Sequence, residues 1–556
     1  MPTELDVIAF DPQLYVRFSD TRGSSCSVPF QRVDIPFSGD TVSEATLSYE
    51  EIISYIPSRA DSTILIQRYL DTVEGTHRLF HMPTLHQELT DFWSDQNGAE
   101  YDWLAQLFMM LALGYQANSN DEVQFSFSGL GHASPCGMND FIFAAQTCLK
   151  KAGYMLMAKN TIIRALSLMA LVIQTSGGYS CRNLDACGPW LDTAIRHCMR
   201  LGYHKVSSQK SNASTFDGYL ARRIWTTVAY LQLQQSMNSG TPLLLQSSDF
   251  EDDRLANIDD KDVHPGSSCY CHGLVSRMSP ANEGWTEGIY QVLLAKSIRT
   301  AVDIVTQVNS PFDDRNEISY ECTMRYDTFF RGLLRATASI YDDSAAPMGD
   351  FRDTWRRYQR LTIETFFRRI LLTLHQPFGQ RPQPHHHLGV VANEAFPSHL
   401  SSHWTLLECS LAILVAQRQM LEETPSDGPL GTTRQFYEEL MKQDFFIAAL
   451  FAGIQIDSEH QLLQHREQYQ SRKMAVDEVP HDPESNGEYL QDPQLLIFTE
   501  TPPRETITQT LRYCQSIWAR SLGAKPEEKC NIWVYLVLGK MIDMLNAAPG
   551  CLVGNP

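Results

Sequence analysis

Residues Ala221–Pro242 read ARRIWTTVAYLQLQQSMNSGTP. Arg222 and Arg223 lead into Trp225, and an apolar stripe follows at helical spacing, interrupted by Gln232, Gln234 and Gln235. Gly240, Thr241 and Pro242 form a stop, because glycine closes helices and proline cannot continue them. The arginines read as a helix start whose Trp225 packs inward while the arginines meet acids. Stacking on nucleic acid is the competing reading. The bulk charge decides against it: 65 acidic residues face 45 basic ones, a formal net charge of −20, and such a body repels a polyanion.

The same period recurs along the chain. Leu65, Tyr69 and Val73 fall four apart, and Leu104, Leu107, Phe108 and Leu111 follow the i, i+3, i+4, i+7 rule. Ile162–Ile173, Leu191–Cys198 and Ile363–Leu374 repeat it, and Ile507, Leu511, Cys514 and Trp518 form a late stripe. Each stripe gives a helix one broad face to bury. Thr84 with Gln87 predicts a capping box at a helix start. Alternating β-branched runs are nearly absent. The fold class expected is all-α: a dozen or more helices packed in antiparallel pairs.

At 556 residues and 43% hydrophobic content the chain can build two to four core units or one large helical body. The 13 cysteines are scattered with no Cys-x-x-Cys, which reads as reduced, mostly buried thiols. The N-terminus carries acids where a signal peptide needs positive charge. The apolar run near Leu104–Tyr115 is too short to span a bilayer. An intracellular protein with no membrane contact is the expectation.

Catalytic signatures are missing: no G-x-S-x-G, H-E-x-x-H, G-x-x-x-x-G-K or strand-borne G-x-G-x-x-G occurs. His385, His386 and His387 stand in a proline-rich stretch, where a solvated polar loop outweighs metal binding. Cys269, Cys271 and His272 are spaced too tightly for a usual structural zinc site. No catalytic residue, metal ligand or cofactor is expected.

Periodicity divides the chain into an acidic and apolar N-terminal tail (1–48), a helical body (49–465), an acidic proline-containing loop (466–503) and C-terminal helices packed on the body (504–556). The tail reads as an extended segment against the body, with an acidic activation segment as the alternative. No lysine or arginine lies between Met474 and Pro503.

Several blocks in order resemble the fungal-specific transcription factor domain, the regulatory region downstream of the zinc binuclear cluster in fungal regulators. The family's "HR-x-x-H-x-PT" segment is matched by His77, Arg78, His81, Pro83 and Thr84. Its "lGLHr"-like turn is matched by Gly202, Tyr203 and His204. Its "RR-x-W … GrP" helix is matched by Arg222, Arg223, Trp225, Gly240 and Pro242. The "DF…P.Ni.D.D" stretch corresponds to Asp249, Phe250, Asn257, Ile258, Asp260 and Asp262. The "l..LHrPf" helix corresponds to Leu374, His375, Pro377 and Phe378. These residues are expected to be structural. The resemblance implies an all-α fold, a nuclear location, transcriptional control and no catalysis.

There are departures. Thr226 stands for a second tryptophan, Gln232 for an acid and Thr241 for an arginine, which suggests a lost ion pair replaced by neutral glutamine hydrogen bonds. The six-cysteine cluster is missing: Cys26 alone precedes residue 136, and residues 1–60 hold four arginines, no lysine and nine acids. The expectation is therefore a regulatory body that works through other transcription factors or co-regulators. It would govern a metabolic or secondary-metabolite gene set, without contacting nucleic acid itself. A DNA-binding module encoded upstream, a helical small-molecule binder and a plain scaffold are the alternatives. A small-molecule effector and a dimer are left open.

Overall fold

The computed structural model describes residues 47–116, 137–175, 183–205, 216–250, 255–264, 285–309, 318–342, 351–379, 400–423, 429–454 and 504–522, with single residues between 535 and 546. The His385–His387 triplet, the Cys269/Cys271/His272 group, the tail up to residue 46 and the acidic stretch 466–503 lie outside the described residues. Among the described residues the regular structure is helical and no strand occurs. The chain is all-α.

The first helices are α1 (Tyr49–Ile53), α2 (Arg59–Tyr69, closed by a wide turn Leu70–Glu74), α3 (Met82–Ser94) and α4 (Tyr101–Gln116). They are followed by α5 (Met138–Lys151), α6 (Asn160–Thr175), α7 (Asn183–Arg200) and α8 (Phe216–Ser239). Then come α9 (Ile289–Val308), α10 (Tyr320–Asp342), α11 (Phe351–Gly379), α12 (Leu400–Glu423) and α13 (Pro429–Leu440). Residues 442–454 form α14 and Arg504–Leu522 form α15.

Neighbouring helices run antiparallel. Tyr115 meets Phe141 at one end of α4/α5, and Lys151 lies over the Tyr101 ring at the other. α10 and α11 pair the same way: Arg360 bonds Asp342 at one end and His375 reaches Asp327 at the other. Because α5 returns the chain, α4 and α6 are parallel, with Asp102 bonded to Thr161 and Gln116 to Thr175. Three helices are buried on nearly every side rather than along a stripe: Leu104–Gly114 of α4, Ile162–Ile173 of α6 and Gly218–Ser236 of α8. They form the centre against which the amphipathic helices lay their faces. Of the late stripe, Leu511 and Cys514 are buried.

Two local expectations differ from what forms. α8 begins at Phe216, six residues before Arg222, so the arginines sit inside the helix. Asp217 occupies its first turn instead, where the positive end of the helix dipole favours an acid. The capping box at Thr84 does not form. α3 starts three residues earlier, with His81 at the cap, its carbonyl accepting from Leu85 N (2.9 Å), and Pro83 in the first turn. Thr84 turns back to His81 and Gln87 bonds Asp91. The stop at the end of α8 is as expected: Gly240 has φ +67°, a left-handed conformation open to glycine.

Candidate functional site

Between α2 and α3 the chain runs non-helically from Gly75 to His81, yet these residues are buried. A buried backbone outside regular structure must find its hydrogen bonds elsewhere. Four helices supply side-chain donors to it, and a fifth bonds the turn just before it. Gln359 of α11 donates to Gly75 O (2.7 Å) and Gln291 of α9 to Thr76 O (2.7 Å). Arg164 of α6 donates to Leu79 O (2.9 Å) and Arg223 of α8 to Phe80 O. Tyr437 of α13 donates to Thr72 O (3.0 Å) just before the segment. The segment is thus the hub on which distant parts of the chain converge.

Its charges are arranged around Asp260, on a short turn after α8. Arg78 Nη2 and Arg223 Nη1 each lie 2.6 Å from Asp260 Oδ1. Asp260 Oδ2 accepts from Met82 N at 2.9 Å, which satisfies an orphan donor at the start of α3. Arg78 also lies 3.4 Å from Glu287, which Arg352 approaches to 3.1 Å. Both arginines are 1% exposed. Burial pushes the Asp260 carboxyl up, but the Arg223 and Arg78 guanidiniums outweigh it and hold it well below the usual carboxylate range. Glu74 behaves oppositely. Burial pushes its carboxyl up to about 7, although Tyr69 OH (2.6 Å), Leu79 N and Phe80 N all donate to it.

The two motif histidines have fixed tautomers. His81 Nε2 faces two carbonyls, Asp260 O and Val263 O, both at 3.1 Å, so it carries the proton. Its Nδ1 then accepts from Thr84 Oγ1 (2.7 Å). Around His77, Tyr437 spends its proton on Thr72 O. Thr76 therefore donates to Tyr437 OH (2.9 Å), and His77 Nδ1–H donates to Thr76 Oγ1 (2.9 Å). Nε2 of His77 is left as a lone pair with no partner among the described residues. Burial lowers this imidazole to about 3, so it stays neutral.

Linkage follows with a definite sign. The His77 contribution is complete above the unfolded value of about 6.5 and is lost as pH falls towards 3; at pH 5 the loss is about 2 kcal/mol. The raised Glu74 works the other way, adding stability as pH falls from about 7. His77→Gln should therefore shift the stability difference between pH 7 and pH 5 by about 2 kcal/mol in favour of pH 5. Urea unfolding of the variant and the parent at both pH values checks it. Parallel pH profiles would show that His77 is not neutral in the fold.

The other motif residues separate into groups. Trp225 stacks on Phe250 (5.5 Å, 28°) and lies 6.1 Å from His204, next to Gly202, whose φ of +77° ends α7. Asn257 bonds Thr286 beside the hub. Asp249 caps its own short turn through Gln246 N (2.9 Å). Arg222 is half-buried one residue before the hub's Arg223, while Pro242 and Pro377 are exposed. Gln232 bonds the Asp192 carboxyl and Gln234 donates to Tyr230 OH (2.7 Å).

His375 belongs to a second cluster. Its Nε2 faces Asp327 Oδ1 (3.1 Å) and its Nδ1 faces Ser402 Oγ (2.9 Å), while Arg331 joins Asp327 to Glu408 (2.9 Å each) and Thr405. The Ser–His–Asp order resembles a hydrolase triad, but with the two ring nitrogens interchanged: Nδ1 faces the hydroxyl and Nε2 the carboxylate, the reverse of the triad. Ser402 and His375 are both fully buried between three helices, so no substrate reaches the hydroxyl unless the helices part. The array clamps α10, α11 and α12 together. Among the described residues no group of three or more metal-ligating side chains gathers, and no helix is long and apolar enough to cross a membrane.

Glu74, Glu287, Arg164, Asp327 and Ser402 were not singled out by the sequence. An acid such as Glu74, lying three residues before the His77–Arg78 pair, was the available signal.

Residues 66–267 match the family described as the fungal specific transcription factor domain. The match spans α3 to α8, the Gly75–His81 segment and Asp260. Among curated relatives, transcription factor opdR of Penicillium oxalicum is 27% identical over 59% of this chain and 39% of its own length. Transcription factor lepE of Aspergillus flavus is 25% identical over 60% of this chain and 37% of its own. The equisetin cluster transcription factor eqxF of Fusarium heterosporum is 22% identical over 72% and 54%. The alignments thus span well under half of the first two relatives. No solved structure matches the chain.

Proposed function

We propose that this chain, which carries the fungal specific transcription factor domain over residues 66–267, is the regulatory body of a fungal transcriptional regulator. It controls a metabolic or secondary-metabolite gene set in the nucleus, without catalysis, through contacts with other proteins. The observation that carries the reading is the coincidence of the domain match with the buried hub. The Arg78–Asp260–Arg223 junction is built from the matched region and tied to α9, α11 and α13 beyond it. The relatives' names as transcription factors, one of a metabolite cluster, agree with it. A body joined at one hub can hold two arrangements, and a partner or effector preferring one shifts the population.

The test has two arms. The chain is fused to a heterologous DNA-binding domain and reporter output is read; separately, its gene is deleted and the transcriptome sequenced. Altered reporter output and a coordinated change in a clustered gene set are expected. A silent fusion together with an unaltered transcriptome would leave a scaffold without regulatory output.

A further inference from the structure

The described residues expose few large apolar side chains, and three of them are consecutive. Met155, Leu156 and Met157 are 47%, 73% and 50% exposed in the link between α5 and α6. Leu201, 39% exposed, follows the last turn of α7, which is tied to this link: Arg200 donates to Leu156 O and His197 Nε2 bonds Tyr154 O at 2.6 Å. The link is a fixed turn. Leu156 N and Met157 N both donate to Gly153 O (2.9 and 3.0 Å), and Gly153 has φ +65°. The apolar side chains are held outward on a built surface, where a solvated loop would carry polar ones.

The charge around them is the reverse of the molecule's. Residues 150–160 hold Lys150, Lys151 and Lys159, and residues 196–205 hold Arg196, Arg200 and Lys205, with no acid in either stretch, in a chain of net charge −20. Lys159 is engaged by Glu100 (2.5 Å) and Asp102 (3.2 Å). Lys150, Lys151, Arg200 and Lys205 are exposed in these two stretches; Lys151 lies over the Tyr101 ring, and Arg200 reaches the link itself through Leu156 O.

We infer that this surface, Met155–Met157 with Leu201 inside a basic rim, docks an acidic peptide segment of a partner protein that presents bulky apolar side chains. Methionine adapts to varied apolar partners, and the cationic rim supplies steering and orientation. A second copy of the chain is disfavoured, since symmetric pairing of the patch would oppose two basic rims. The inference stands on this surface alone and not on the transcriptional reading.

The probe is a fluorescein-labelled peptide of about 16 residues, rich in glutamate and aspartate with leucine and phenylalanine at i, i+4 and i+7, titrated against the intact chain by anisotropy. Saturable binding that weakens with salt is expected. The M155S/L156S/M157S variant should weaken it at least about tenfold with unchanged circular dichroism and melting. Lys205→Glu, which leaves the apolar patch intact, should weaken it and flatten the salt dependence. Equal binding by all three proteins, or equal binding of a lysine-substituted peptide, would overturn the inference. So would capture of the chain by phosphatidylserine vesicles or duplex DNA with no peptide binding, or a patch-dependent dimer in sedimentation. Failure here leaves the reporter and transcriptome tests untouched.

Discussion

Asp260→Ala is expected to destabilise the fold by about 3–5 kcal/mol. Its one carboxylate oxygen serves two guanidiniums at 2.6 Å, and both arginines are buried. Removing the acid strands two charges out of water and also deprives Met82 N of its acceptor. Asp260→Asn keeps the size and one acceptor but not the charge, so it should lose most of the same stability. The two arginines then keep Glu287, the carbonyl of Phe80, the Tyr219 and Trp355 rings and the nearby Glu74, none of which replaces the carboxylate at 2.6 Å. An Arg78→Met/Arg223→Met/Asp260→Leu replacement should be less harmful than Asp260→Ala alone. It removes the three charges of the junction together and leaves Glu287 to Arg352; the Phe80 carbonyl is left unsatisfied at about 1–3 kcal/mol, beside the part-buried Met82 N that Asp260→Ala orphans as well. The deficit of Asp260→Ala should be equal at pH 5 and pH 8. A carboxyl with a depressed folded value contributes fully above the unfolded value of about 3.8 and loses its contribution only below it. Urea midpoints with unchanged slope measure all of this. A loss under about 1 kcal/mol would mean that the junction is hydrated rather than sealed.

The helical class was legible because it rests on period, which needs no partner to be read: Leu104–Leu111 and Ile363–Leu374 announce their faces. Family motifs also pointed to the right neighbourhood, with Arg78, His81, Arg223 and Asn257 all at or beside the hub. What was hidden depends on long-range pairing. Arg78 and Asp260 lie far apart in the chain, and nothing local in "EGTHRLF" says that Gly75–His81 crosses the core without regular structure. Helix starts were misplaced for a related reason. Thr84 is a fair cap by local chemistry, but Asp260 had already satisfied the start of α3 from a distance. Arg222 resembled a start because charges flank helices, whereas buried Arg223 is held mid-helix by an acid from another element. His375 was read as part of a motif; its partners Asp327 and Ser402 come from helices on either side of α11.

Gly114→Ala should cost about 2–3 kcal/mol, against the usual benefit of alanine in a helix. A Cβ at Gly114 would run into the carbonyl oxygen of Leu65, with the Leu65 carbonyl carbon at 2.7 Å and its Cα at 3.1 Å. The obstacle is the backbone of α2, which cannot rotate away as a side chain would. Alanine gains up to about 1 kcal/mol of helix propensity over glycine, and here the clash exceeds it. Leu65 itself is fully buried and α2 leads directly into the Leu70–Glu74 turn, so a displaced α2 pulls on Glu74 and on the segment after it. Gly332, in the middle of α10, is the control: nothing lies within 4 Å of its would-be Cβ. Gly332→Ala should therefore stabilise by up to about 1 kcal/mol. The two variants make the same chemical change in the same kind of element, and only the neighbour differs. Opposite shifts in the urea midpoint are expected. Two increases would show that α2 and α4 yield at their crossing, and that the close approach at Gly114 is not what fixes the entry of α2 into the hub.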